Sequence, residues 1–174
     1  MKRRNENNFV LKESYFDGYE YKGFRVKTKL AIEGDGEYEP RFLNSSRDVY
    51  DMFKDMRESD KERFYSILMD NKNKVIGVDL VSQGTLSESP VHPREVYKSA
   101  LISSAASVIF VHCHPSGDPA PSIQDRELTM GLDEAGKLLG ITVLDHVIIG
   151  NGRYFSFSEV GELPVKKDDK GDCG

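Results

Sequence analysis

The chain has 174 residues, 24 of them Lys or Arg and 29 Asp or Glu, which leaves a net charge of -5. This length predicts one domain with room for tails. The charge argues against a chain-wide cationic field for nucleic acid, though not against a local basic patch. Only two cysteines are present, Cys113 and Cys173, which rules out a disulfide framework and any four-thiolate metal site within one chain.

Apolar residues make up 38% of the sequence, below the ~45–50% of ordinary globular domains, a range that also counts Gly. The polar residues gather at the two ends, so the middle can still supply a core. No long apolar segment follows Met1-Lys2-Arg3-Arg4, so no signal peptide is expected. The longest buried-looking run, Ala105 to Val111, is far too short to span a bilayer. These features predict a soluble, cytoplasmic protein that does not contact a membrane.

Residues 1–21 read as a polar N-terminal extension. From Tyr21 to Ile32, Phe24, Val26, Thr28, Leu30 and Ile32 share one parity, while Arg25, Lys27 and Lys29 share the other, which predicts a half-buried strand. Ser45 or Ser46 can cap a helix that carries Val49, Met52, Phe53 and Met56 at helical spacing. A short apolar strand begins at Phe64, a turn falls at Asp70-Asn71-Lys72-Asn73, and Val75 to Val81 completes a hairpin. Pro93 suits the first position of a second helix with Val96, Tyr97, Ala100, Leu101 and Ala105 inward.

Ser107 to His112 reads as a buried strand. The Pro- and Gly-rich stretch after it, His114 to Pro121, demands irregular backbone. Ser122 opens a third helix with an apolar stripe of Leu128, Leu132, Ala135, Leu138 and Leu139, and Gly140 ends it. Ile141 to Ile149 is a central strand, followed by a turn into Tyr154 to Phe157. Residues 22–160 thus read as one mixed α/β domain, and residues 161–174 as a flexible charged tail.

The chemistry concentrates after the buried strand. His112 and His114 lie two apart at a strand end, so alternation sends both imidazoles to one face and Cys113 to the other. Asp125, eleven residues past His114, sits in the first turn of the following helix. Two neutral imidazoles and a carboxylate suit zinc with one coordination position left open, where water gains acidity. Plainer readings exist for each residue. An HxH can be two ordinary polar residues leaving a strand, and Ser122 with Asp125 can be a helix-capping pair. The thiol of Cys113 should point away from the metal, although zinc's affinity for thiolate leaves a distorted site as the alternative. His146 reads as a hydrogen-bonded core histidine or as support behind a metal ligand, and His92 as a helix-start residue.

The segment His112-Cys113-His114-Pro115-Ser116-Gly117-Asp118-Pro119-Ala120-Pro121-Ser122-Ile123-Gln124-Asp125 resembles the JAMM motif of the JAB/MPN metalloproteases, in the form found in the RadC-like branch. Val91 to Val96, Glu134 to Ile141 and Leu144-Asp145-His146 extend the likeness over about residues 45–160. The resemblance implies a curved mixed sheet between helices, similar to cytidine deaminase. It also implies zinc held by His112, His114 and Asp125, and a Ser122 hydroxyl that helps stabilise an oxyanion. The substrate class it implies is a peptide or isopeptide. The family's general base is an upstream Glu, best matched here by Glu62 in Lys61-Glu62-Arg63-Phe64, with Glu95 as the rival.

Two departures qualify the likeness. Cys113 stands where the family carries Asn between the histidines. Residues 1–44 also lack the helix-hairpin-helix pattern of longer RadC-like proteins. The second departure, together with the net charge, disfavours nucleic acid as a partner. The alternative function is a non-catalytic or DNA-associated RadC-like protein linked to DNA repair or mobile elements.

Overall fold

The computed structural model describes residues 41–58, 61–84 and 91–163. The strand expected over residues 21–32, with its basic face, lies outside them, as do residues 164–174 of the expected tail, whereas Leu163 at its start is buried in the core. Helix α1 spans Ser46–Phe53 and runs into a 3-10 turn, Lys54–Glu58. Ser45 caps it by accepting a hydrogen bond from the Asp48 amide, which satisfies one of the free amides of the first turn. Strands β1 (Glu62–Met69) and β2 (Val75–Gly84) form the expected hairpin. Its turn is held by Asp70, whose side chain accepts from the Lys72 and Lys74 amides. Helix α2 (Pro93–Ile102) starts on Pro93, and β3 spans Ser107–Cys113. Helix α3 (Ile123–Leu139), β4 (Thr142–Ile149) and β5 (Tyr154–Ser156) follow.

The five strands form one sheet in the order β2-β1-β3-β4-β5. Only β3 and β4 pair in parallel, and the other neighbours are antiparallel. A parallel pair needs a crossover connection, and α3 supplies it. One face of the sheet packs on α2 and α3 through Val96, Tyr97, Ala100 and Leu132 against Phe64, Val108 and Phe110. The opposite face packs on α1 through Val49, Tyr50 and Phe53 against Ile67, Ile109 and Val111. With both faces covered, every residue of β3 is buried, which is why its sequence reads as a continuous apolar run.

Alternation in β4 is broken once. Val108 pairs with Val143, but the next residue, Ile109, pairs with Asp145. Leu144 is therefore an extra residue, a bulge that reverses the parity of everything after it. Val143 belongs to the α2/α3 face. Without the bulge Asp145 would share that face. With it, Asp145 turns toward α1 and His146, opposite Phe110 in the register, comes to the α2/α3 face.

Two expected inward faces are corrected. Leu138 is 89% exposed and Leu139 and Leu101 are also exposed. The buried side of α3 is Asp125, Thr129, Leu132 and Gly136. Two polar residues and a glycine do not register as an apolar stripe, so a hydrophobic pattern misplaces the face. Gly136 is required because α2 comes so close. A Cβ there would lie 2.5 Å from the Tyr97 hydroxyl, which itself donates to the Leu132 carbonyl at 2.7 Å.

Candidate metal centre

The end of β3 delivers His112, and His114 follows one residue beyond the strand. Alternation separates the thiol between them as expected. Cys113 lies in the cluster under α1, with Sγ 3.8 Å from the Lys61 carbonyl. Burial raises its pKa and keeps it a neutral thiol. It takes no part in the group formed by the histidines.

Asp125 reaches that group because the intervening loop folds back. The Gly117 amide donates to the His114 carbonyl, and Gly117 adopts a φ of +73°, which suits glycine. The turn between β4 and β5 clamps the loop from outside. The Asn151 amide donates to the Gly117 carbonyl at 2.8 Å, and Arg153 pairs with Asp118 at 3.3 Å. A Cβ on Gly150 would stand 2.5 Å from Pro119 Cδ, so only glycine lets the turn approach this closely. Helix α3 then starts with a full capping box: the Ser122 hydroxyl accepts from the Asp125 amide, and Asp125 Oδ2 accepts from the Ser122 amide at 2.7 Å. The Ser122 hydroxyl proton also goes to Asp125 Oδ2, at 2.6 Å. Ser122 and Asp125 thus form the helix-capping pair that the sequence allows, and the same carboxylate lies beside the two histidines.

His112, His114 and Asp125 each offer one ligand atom, and these atoms lie within 4.8 Å of one another. His112 Nε2 stands 3.0 Å from His114 Nε2 and 3.2 Å from Asp125 Oδ1. His114 Nε2 is 3.3 Å from Asp125 Oδ2. The tautomer of His114 follows from its outer nitrogen. Nδ1 is 2.7 Å from the Asp118 carbonyl, a group that only accepts, so Nδ1 carries the proton and Nε2 turns its lone pair inward. Asp125 is fully buried, yet its Oδ1 has no hydrogen-bond partner. An orphaned buried carboxylate oxygen is costly unless something positive meets it. The donor set of two imidazoles and one carboxylate, with this orphan among them, fits a divalent metal ion.

The electrostatics agree in direction. Burial works to raise the Asp125 pKa, but the two histidines and Ser122 outweigh it and hold the group far below the usual carboxylate range. Asp125 in turn raises His114 above an ordinary histidine, against the effect of burial and helped by the Asp118 carbonyl and the charge of Glu62. In the absence of a metal the site draws a proton to the same place, so proton and metal compete there.

Of the two candidate bases, Glu62 is the one beside this group. Phe64 pairs with His112 in the register, and Glu62 shares its parity on β1. Glu62, Arg63, Phe64, Ser82, Gly84 and His112 line one pocket. Glu95 stands in the first turn of α2, half exposed, paired with Lys98 at 3.0 Å and Arg94 at 3.6 Å. His92 is the N-cap position of α2 and makes no side-chain cap bond. Thr129 was missed at the sequence level. It sits one helical turn after Asp125, and its hydroxyl donates to the Asp125 carbonyl and contacts His146. A threonine one turn behind a ligand on the same helix face is the only signal that could have found it.

A mixed α/β sheet with a His-x-His strand end and a carboxylate from the following helix defines a JAB-like domain. A family model described as the RadC-like JAB domain matches residues 43–162, and the chain belongs to that family. Among curated relatives, a UPF0758 protein of Methanosarcina mazei is 54% identical over 122 residues, covering 70% of this chain and 53% of its own length. A UPF0758 protein of Trichlorobacter lovleyi shows the same identity and coverage. One from Methanococcoides burtonii is 50% identical over 141 residues, 80% of this chain and 61% of its own. The chain thus spans about half the length of such relatives. Among the described residues no helix is long and apolar enough to cross a membrane.

Proposed function

We propose that the protein is a zinc-dependent hydrolase of amide bonds whose substrates are peptides or isopeptides. The observation that carries this is the buried Asp125 Oδ1, which has no hydrogen-bond partner and lies 3.2 Å from His112 Nε2, with His114 Nε2 3.3 Å from the other oxygen and Glu62 lining the adjoining pocket. His112, His114 and Asp125 would hold the ion. Bound zinc would supply Lewis acidity toward a carbonyl oxygen and would acidify water.

The remaining steps belong to the chain. Glu62 takes the proton of the attacking water and returns it to the leaving amine nitrogen. The Ser122 hydroxyl has one proton, which rests on Asp125 Oδ2. Ser122 offers that proton to the developing oxyanion by exchanging one acceptor for another. Phe64 stacks on His112 and Phe110 packs against Phe64, which gives the inner side of the group an apolar backing. The complete ligand set disfavours a purely scaffolding role.

Metal analysis of protein purified without added metal should find about one zinc per chain. Hydrolysis of a peptide and isopeptide panel should then be lost on chelation and in Glu62→Gln, and retained in Glu95→Gln. A site that cannot be loaded with zinc would end this reading. Full activity in Glu62→Gln with none in Glu95→Gln would move the base to α2.

A further inference from the structure

His112 differs from His114 in one respect. Its outer nitrogen meets another histidine instead of a carbonyl, so its own tautomer is undecided at first contact. His112 Nδ1 lies 2.8 Å from His146 Nε2, and either ring could donate. His146 Nδ1 lies 2.6 Å from the Thr129 hydroxyl oxygen. That hydroxyl lies 2.5 Å from the Asp125 carbonyl oxygen.

The end of this chain decides its direction. A carbonyl oxygen can only accept, so the single Thr129 proton points to Asp125. Thr129 then has only lone pairs for His146, and His146 Nδ1 must carry the proton between them. A neutral His146 has no second proton, so its Nε2 accepts, and the proton in the last contact belongs to His112 Nδ1. His112 Nε2 is left with its lone pair directed at His114 and Asp125. Running the chain the other way would put the Thr129 proton on His146. That would leave two buried acceptors, Thr129 Oγ1 and the Asp125 carbonyl, 2.5 Å apart with no proton between them.

The surroundings of His146 oppose a second, charging proton on its ring. The ring is fully buried, stacked on Phe157 and edged by Phe64 and Phe110. Thr129 and His146 reach each other for separate reasons. Thr129 lies one helical turn past Asp125, and the β4 bulge at Leu144 turns His146 to this face.

We propose that Thr129 and His146 form a proton relay of fixed direction that holds His112 as its Nδ1–H tautomer and presents Nε2 to a divalent cation. Both are positioning residues that act through His112. The Asp125 carbonyl that sets the direction belongs to the residue whose carboxylate completes the group, so ligand and relay are registered to each other. The cation rests on the metal-hydrolase reading above, whereas the tautomer can be read without any metal.

The test is long-range proton–nitrogen NMR of the metal-free full chain at mildly alkaline pH, followed by zinc titration against a competing chelator. In the parent protein His112 should be protonated at Nδ1 and bare at Nε2. Thr129→Val keeps the side-chain shape but removes the hydroxyl. It should give a mixed His112 tautomer and weaken zinc binding about 10–100-fold, the usual cost of losing an outer partner of a metal ligand. Thr129→Ser should restore both. A role in packing alone would change unfolding midpoints without moving the tautomer signal.

An Nε2–H form of His112 in the parent overturns the relay, and that measurement needs no variant to fold. Parental zinc affinity and an unchanged His112 signal in Thr129→Val also overturn it, while leaving the metal reading intact. A parent that keeps the Nδ1–H form but binds no zinc upholds the relay and removes the hydrolase.

Discussion

Two buried carboxylates sit on opposite faces of one sheet, and they are satisfied in opposite ways. Asp145 faces α1. Its Oδ2 accepts from the Ser46 and Ser156 hydroxyls at 2.8 and 2.7 Å, and its Oδ1 from the His146 and Ser158 amides at 2.7 and 2.9 Å. Four donors from α1, β4 and the chain around β5 leave nothing for a ligand to add. Asp125 faces the other way. Its two hydrogen bonds from Ser122 both fall on Oδ2, and Oδ1 is left without one, 3.2 Å from His112 Nε2. Burial alone therefore does not mark a functional acid. A fully satisfied carboxylate ties elements together, whereas one with an unmet oxygen among aligned lone pairs is prepared for a cation.

The comparison predicts different losses. Asp125→Asn should lose zinc almost entirely, more than the about 10–100-fold cost of removing an outer partner, as read by chelator competition. Its unfolding midpoint without metal should change little, because the capping hydroxyl of Ser122 remains. Glu62→Gln should keep zinc and lose about 10²–10⁴-fold in turnover, the range for a general base, as measured on any peptide the parent cleaves.

Asp145→Ala should do the reverse. Denaturant unfolding should show a loss on the order of 3 kcal/mol, because buried donors are left unpaired, with zinc affinity of the folded fraction unchanged. If Asp145→Ala released zinc without loss of stability, the distinction between the two carboxylates would collapse. Gly150→Ala should fall between the two. Its Cβ must push Pro119 and the Gly117 carbonyl away, which costs about 1–3 kcal/mol as overpacking and disturbs the Asp118 carbonyl that orients His114. Cys113→Ala should have the smallest effect. It is expected to cost about 1 kcal/mol of packing and to leave zinc stoichiometry at the parental value in metal analysis.

Much of the candidate ligand set was legible because it is local. Two histidines of equal parity at the end of an apolar strand, and a carboxylate in the next helix's first turn, are short-range facts that backbone geometry turns into proximity. The helix after Ser45, the hairpin turn at Asp70 and the Pro93 start were legible for the same reason. The α3 face was not, because its inward residues include Asp125, Thr129 and Gly136, which carry no apolar signal. The orientation of His146 was not legible either. It depends on a single extra residue, Leu144, whose effect shows only in the register against β3.

By itself, the sequence determined where the candidate ligands His112, His114 and Asp125 lie along the chain, which side of the strand the two histidines take, and the family to which the chain belongs. Tertiary structure alone decided which carboxylate is left unsatisfied, which glutamate stands beside His112, and which nitrogen of His112 faces inward. Those three depend on pairings between residues far apart in the chain, from Glu62 to His112 and from Thr129 to His146. Hydrogen-bond direction along such a network is set by its ends, and only the folded sheet brings those ends together.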